Sequence, residues 1–159
     1  MIASIQGEIV GILTDSLVVS VAGVGFQIYT PAALHAQARV GDRVFLHTTL
    51  IVRQDALTLY GFEREDERSF FTLLLGVDGV GPRIALATLS ALTVETIRRA
   101  VLAEQVEVFS RVPGVGKRTA QKMLLHLQGR VGSGDLAGIQ AVTALTDVDA
   151  EVLDALIGL

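Results

Sequence analysis

The first sixty residues alternate between apolar and polar positions with the two-residue period of half-buried strands. Ile2–Val10, Leu17–Val21, Gly25–Thr30, Arg43–Ile51 and Leu57–Phe62 carry this pattern and are rich in β-branched or aromatic residues. Thr14-Asp15-Ser16, Ala22-Gly23-Val24-Gly25 and Gly41-Asp42 punctuate them as turns. One helical stretch, opening Pro31-Ala-Ala-Leu-His35 with Thr30 as its expected N-cap, interrupts the series. Five short strands with an inserted helix predict a small barrel of the OB type. From Glu63 the period becomes helical: Phe70, Phe71, Leu74 and Leu75 share a face, and Arg83–Ala91, Val94–Ala103, Val106–Arg111 and Lys117–Arg130 follow. Thr93, with Thr96 three residues on, opens the second of these. Val131-Gly-Ser-Gly-Asp-Leu-Ala-Gly138 has the composition of a linker. Beyond it, Asp147–Leu159 reads as one acidic amphipathic helix with Val148, Val152, Leu153 and Leu156 on one side.

Inside the helical half the chain repeats itself. Gly79-Val-Gly-Pro-Arg-Ile-Ala-Leu-Ala-Thr-Leu89 returns 35 residues later as Gly114-Val-Gly-Lys-Arg-Thr-Ala-Gln-Lys-Met-Leu124. Each copy ends one helix in an apolar residue, turns through Gly-Val-Gly, and starts another helix at once. Glycine there permits positive φ and the close approach of another backbone. The first amides of the following helix lack intrahelical partners, and the helix dipole favours an anion beside them. Arg83 follows the first turn, and Lys117 and Arg118 follow the second. A single such turn is an ordinary helix–helix connection. Two, each followed by a base at the same helix N-terminus, point to recognition of a nucleic-acid backbone without base readout. Two other phosphate motifs fail: a phosphate-binding loop would need Gly at Arg111 and Ser or Thr at Arg118, and a dinucleotide fingerprint would need glycine at Ile84 or Thr119.

Charge sharpens the picture. The formal net charge of −4 taken alone argues against such a partner, but it is unevenly spread. Residues 1–62 hold four acids and three bases, residues 63–131 eight acids and ten bases, and residues 132–159 five acids and no base. Between Arg68 and Arg130 there are nine bases against four acids, so the basic field is local. With half the residues hydrophobic, 5% aromatic and mean hydropathy +0.52, the core is expected to be aliphatic and some apolar surface to be buried between subunits. Phe26, Tyr29, Phe45, Tyr60 and Phe62 fit either stacking platforms for bases or the large pieces of a small core, the latter being favoured. Zero cysteines exclude disulfides and thiolate chemistry, and His35, His47 and His126 are too far apart to make a helical metal pair. No catalytic grouping, metal site or cofactor is expected, and neither a leader peptide nor a membrane span is evident. Arg98, Arg99 and Arg111 are read as solvated helix charges, and His126 as packed or lying at a subunit surface.

These residues in this order resemble the RuvA family, the junction-binding subunits of the bacterial Holliday junction branch-migration machine. The likeness is carried by the opening Met-Ile-Ala-Ser-Ile-Gln-Gly7, the Gly23-Val-Gly-Phe26 turn, Val52-Arg-Gln-Asp-Ala-Leu-Thr-Leu-Tyr-Gly-Phe62 and both hairpins. The resemblance implies a multidomain α and β chain. An OB barrel would span 1–63, an all-α tandem helix-hairpin-helix domain 64–131, a linker 132–145, and the start of a third, motor-contacting domain 146–159. Of that three-helix domain only the first helix, about Thr146–Ile157, is expected, so coupling to the motor should be impaired. The implied function is sequence-independent binding of four-way junctions, by a homotetramer or octamer, in bacterial cytoplasm. The implied partners are the ATP-driven RuvB ring and the RuvC resolvase, with ATP hydrolysis in RuvB. Phosphate contacts fall by resemblance on Gly79, Gly81, Arg83, Gly114, Gly116, Lys117, Arg118 and Lys122. The family's acidic pin, a pair of carboxylates that guides strand separation, falls on Gln54-Asp55, where only one residue is acidic and a weaker gate against duplex is expected. The alternatives are a DNA-processing enzyme built on helical hairpins and a single-strand binder of the OB type.

Overall fold

The computed structural model describes residues 1–131; the expected linker and acidic helix lie outside the described residues. The alternating segments form β1 (Ser4–Ile12), β2 (Ser16–Val21), β3 (Val24–Tyr29), β4 (Arg43–Val52) and β5 (Leu57–Phe62). They close a barrel in the order β1-β2-β3-β5-β4, antiparallel throughout except for the β3–β5 pair. The first strand serves two neighbours, pairing with β4 through Ser4–Glu8 and with β2 through Glu8–Ile12. A register shift between Ile9 and Gly11 bends it, as a bulge at a barrel corner does. Gly7 sits where a Cβ would lie 2.2 Å from the Ser20 carbonyl oxygen, so a side chain there would force the strands apart. Ile5, Ile9, Leu17, Val19, Ile28, Leu34, Leu46 and Leu59 fill the interior.

The inserted helix, α1 (Ala32–Gln37), begins after Pro31 and not after Thr30. Thr30 is therefore no cap: its buried hydroxyl has no hydrogen-bond partner among the described residues, and Pro31, at φ −57 and ψ 151, takes the N-cap position. The helix is held instead by the Ala32 N–H donating to Ser90 Oγ at 3.0 Å and by His35 Nε2 bonding the Leu13 carbonyl at 2.7 Å.

Among the described residues five helices follow: α2 (Glu65–Leu75), α3 (Pro82–Ala91), α4 (Val94–Leu102), α5 (Val106–Ser110) and α6 (Lys117–Val131). Pro82 takes the first helical position of α3, where its missing N–H costs nothing, and Thr93 Oγ1 accepts from the Thr96 N–H at 3.1 Å to open α4. Strand β5 explains how the two halves join. Its period of two sends Leu59 into the barrel and Tyr60 and Phe62 outward, where they become core of the helical half. Phe71 of α2 packs at 4.9 Å from Tyr60 and 5.1 Å from Phe62 between ring centroids. At the inward position between them, a Cβ on Gly61 would come within 2.6 Å of Ile28.

The expectation that all five aromatics fill the barrel is thus corrected in part. Tyr60 and Phe62 are buried in the other core, and Phe45 is 50% exposed with its ring edge against His47. Polar contacts also link the two halves. His47 Nδ1 of β4 lies 3.0 Å from Glu65 of α2, and Glu65 also pairs with Arg68. Among the described residues no helix is long and apolar enough to cross a membrane.

Candidate nucleic-acid interface

Two four-residue turns organise the helical half. Val77-Asp78-Gly79-Val80 joins α2 to α3, and Val112-Pro113-Gly114-Val115 joins α5 to α6. In each, the last residue's N–H donates to the first residue's carbonyl at 3.0 Å. Gly79 and Gly114 have φ of +84 and +86, and no other residue of either turn has positive φ. A glycine in that conformation at the third position alone defines a type II turn, and Pro113 occupies the second position that such turns favour. All four valines are buried, so each turn is fastened to the core at both ends. The valine inside each Gly-Val-Gly is therefore the anchor of the turn, a role that its recurrence in both copies signals.

The next glycines have another reason to be there. The carbonyls of Gly81 and Gly116 accept the first intrahelical bonds of α3 and α6, from Ala85 at 3.0 Å and Ala120 at 2.9 Å. Gly81 has φ −94 and ψ −179, extended backbone that any residue adopts. A Cβ at either position would meet nothing within 4 Å among the described residues. Neither conformation nor internal packing demands glycine at these two sites; what it leaves bare is the outer approach to the first amides of each helix.

Around these openings stand the expected cations. Arg83, Lys117 and Arg118 are exposed, and none has a carboxylate partner among the described residues. Lys122 is differently placed: its Nζ lies 3.0 Å from Asp78 Oδ2, so an ion pair runs from α6 to the first turn and brings the two hairpins side by side. Gln54 and Asp55 sit exposed at the tip between β4 and β5, closed by the Arg53 N–H donating to the Ala56 carbonyl at 2.9 Å. This tip and the start of α3 wall a common cleft containing Arg53, Asp55, Gly81 and Arg83.

Arg99 and Arg111 are exposed, as expected of solvated charges. Arg98 is not: it is half-buried, its guanidinium 5.4 Å above the centre of the Phe70 ring, because α4 packs on the aromatic face of α2. His126 is packed, with its ring beside Gly76 and its Nδ1 3.3 Å from Arg130. Electrostatics at the base of α2 serve the scaffold. Arg64 bonds Glu95 and Asp66, which raises its pKa, and Glu95 is lowered by its own backbone N–H and then by Arg64. Burial pushes the Glu67 carboxyl up, although it accepts from the Arg64 N–H. Among the described residues no group of three or more His, Asp or Glu side chains could hold a metal ion.

Residues 1–61 match the family described as RuvA N terminal domain, and residues 71–128 match the SAM-like Helix-hairpin-helix tandem. A protein of Chloroflexus aggregans named Holliday junction branch migration complex subunit RuvA is 45% identical over 160 residues, covering 100% of this chain and 82% of its own length. The proteins of the same name in Beutenbergia cavernae and Mycolicibacterium smegmatis are 45% and 42% identical over the whole chain, which covers 79% and 81% of them. The chain belongs to the RuvA family. The OB-type barrel and the tandem hairpins expected of a RuvA chain are both present.

Proposed function

We propose that this RuvA-family chain binds four-way DNA junctions independently of sequence, as the non-motor subunit of a branch-migration complex. The observation that carries this is the pair of matching turns, each followed by an N-cap glycine with open space before it and by cations that have no carboxylate partner among the described residues. A phosphate oxygen fits that space, because bare first-turn amides and a nearby guanidinium or ammonium are what an anion needs. Gly79, Gly81 and Arg83 act in one hairpin and Gly114, Gly116, Lys117 and Arg118 in the other, with Lys122 linking the two. The barrel domain, residues 1–63, sets the pin tip with Asp55 beside the hairpin domain, residues 64–131. With glutamine at residue 54 the tip carries one carboxylate, and repulsion of duplex backbone is correspondingly weaker. Catalysis is not part of this role: ATP hydrolysis belongs to a ring motor such as RuvB. A fourfold assembly, singly or as two facing tetramers, gives each arm of a junction its own pair of hairpins.

Competition among a four-way junction, linear duplex and single strand tests the reading. The junction should bind tightest, with affinity falling steeply as salt rises. Preference for single strand would favour a barrel-centred binder, and cutting of DNA in magnesium or manganese would favour a processing enzyme. Light scattering with and without junction DNA should show an assembly of four or eight copies; a stable monomer would contradict the fourfold arrangement.

A further inference from the structure

The two hairpins differ in the chemistry of their cations as well as in their number. Of the chain's 13 lysines and arginines only Lys117 and Lys122 are lysines, and both lie on α6, the helix of the second hairpin. The first hairpin presents Arg83. A guanidinium stays charged and resists acylation, whereas a lysine amine accepts an acyl group and loses its charge and its salt-bridge donors. Acylation therefore acts on the second hairpin and leaves Arg83 as it is.

The two lysines are not equivalent. Lys122 Nζ lies 3.0 Å from Asp78 Oδ2, so it must leave that ion pair to react, and its acylation leaves the carboxylate without its partner. Lys117 is exposed and has no carboxylate partner among the described residues, so acylation there displaces no ion pair. Access is open as well: Gly116 precedes it with space for a Cβ, and Arg118 beside it is exposed. A reagent that carries its own phosphate is drawn to these two cations as a DNA phosphate is.

We propose that Lys117 is an acylation site whose donor is a small acyl phosphate, and that its acylation loosens the second hairpin's hold on DNA. The unprotonated Nζ attacks the acyl carbon. A C–N amide bond forms as the C–O bond to phosphate breaks, inorganic phosphate leaves with the electron pair, and the amine's proton passes to solvent. Bound DNA covers the same cations, so free protein is modified and junction-bound protein is shielded. The choice of donor and the loosening both rest on the reading of this hairpin as a phosphate-binding turn.

The test treats the full chain, Asp78→Asn and Lys117→Arg with acetyl phosphate. Mass spectrometry follows each lysine with time, and fluorescence anisotropy reads affinity for a four-way junction. Lys117→Gln, which carries a neutral side chain at that position, is titrated alongside without treatment. In the wild type Lys117 should acetylate about two- to fivefold faster than Lys122, the factor an exposed ion pair sets, and Asp78→Asn should narrow the gap. Junction DNA or excess inorganic phosphate, added first, should slow Lys117. The acetylated wild type should bind the junction several-fold more weakly, with a salt slope shallower by about 0.9 for each Lys117 that met a phosphate. Lys117→Arg should keep most of its affinity through the same treatment. Equal rates at the two lysines of the wild type would overturn the site, and no slowing by inorganic phosphate would overturn the donor; weak binding by Lys117→Gln would in either case leave the hairpin reading standing. If Lys117→Gln binds the junction as wild type does, the hairpin reading fails at this residue and the loosening falls with it.

Discussion

The two hairpins share one backbone and differ in charge. Their turns have φ values within 2° at the repeated glycine position, the same 3.0 Å closing bond and the same buried valine anchors. The first, however, has Asp78 at the turn and Pro82 at the first helical position, which supplies no N–H. The second has Pro113 and Lys117 at those places, while its Arg118 matches Arg83 of the first. Shape is set by glycine and valine, while the strength of anion attraction is set separately by what surrounds them. On the proposed function the second hairpin is therefore the stronger electrostatic grip, and in the first Lys122 pairs with the turn's own carboxylate.

Charge reversal should expose that asymmetry most sharply. Lys117→Glu/Arg118→Glu is expected to weaken junction binding by about 100-fold or more at moderate salt, and Arg83→Glu by about tenfold, measured by fluorescence anisotropy. Equal losses would break the comparison. Backbone strain should treat the two turns alike: Gly79→Val and Gly114→Val each place a β-branched residue at positive φ and should cost about 1–2 kcal/mol of stability in denaturant titrations. Asp78→Asn frees Lys122 and removes a charge from the first turn, so junction affinity should rise about two- to threefold, with the gain fading as salt rises.

The smallest effect concerns α2, the helix that leads into the first turn. Because burial raises the Glu67 carboxyl above its ordinary value of 4.5, the folded chain holds that proton to higher pH than the unfolded chain does. Its contribution to stability is largest below 4.5 and declines as pH climbs through the raised value. Glu67→Gln should flatten that decline in melting curves taken between pH 4 and 7, leaving DNA binding by both hairpins as it was.

Local signals made the barrel, the helices and the repeated turns legible, because period, turn residues and glycine placement all act within a few residues of chain. Partners chosen across the fold were less so. Alternation in Leu59-Tyr-Gly-Phe62 marked two faces but did not say that the outward one would become the core of another domain. Arg98 looked like any solvated charge until α4 laid it over Phe70. The Lys122–Asp78 pair joins residues 44 positions apart. Thr30 had the chemistry of a cap, but the fold buries its hydroxyl and starts the helix one residue later.

The central claim is that Gly81 and Gly116 keep bare a space which DNA phosphates fill, and threonine at both positions tests it most directly. Threonine is at least as good an N-cap as glycine, and its Cβ would meet nothing within 4 Å among the described residues. The account predicts that Gly81→Thr/Gly116→Thr melts no lower than wild type yet binds four-way junctions at least about tenfold more weakly, since the new side chains occupy the approach and cap the amides themselves. Wild-type junction affinity in that folded variant would contradict it.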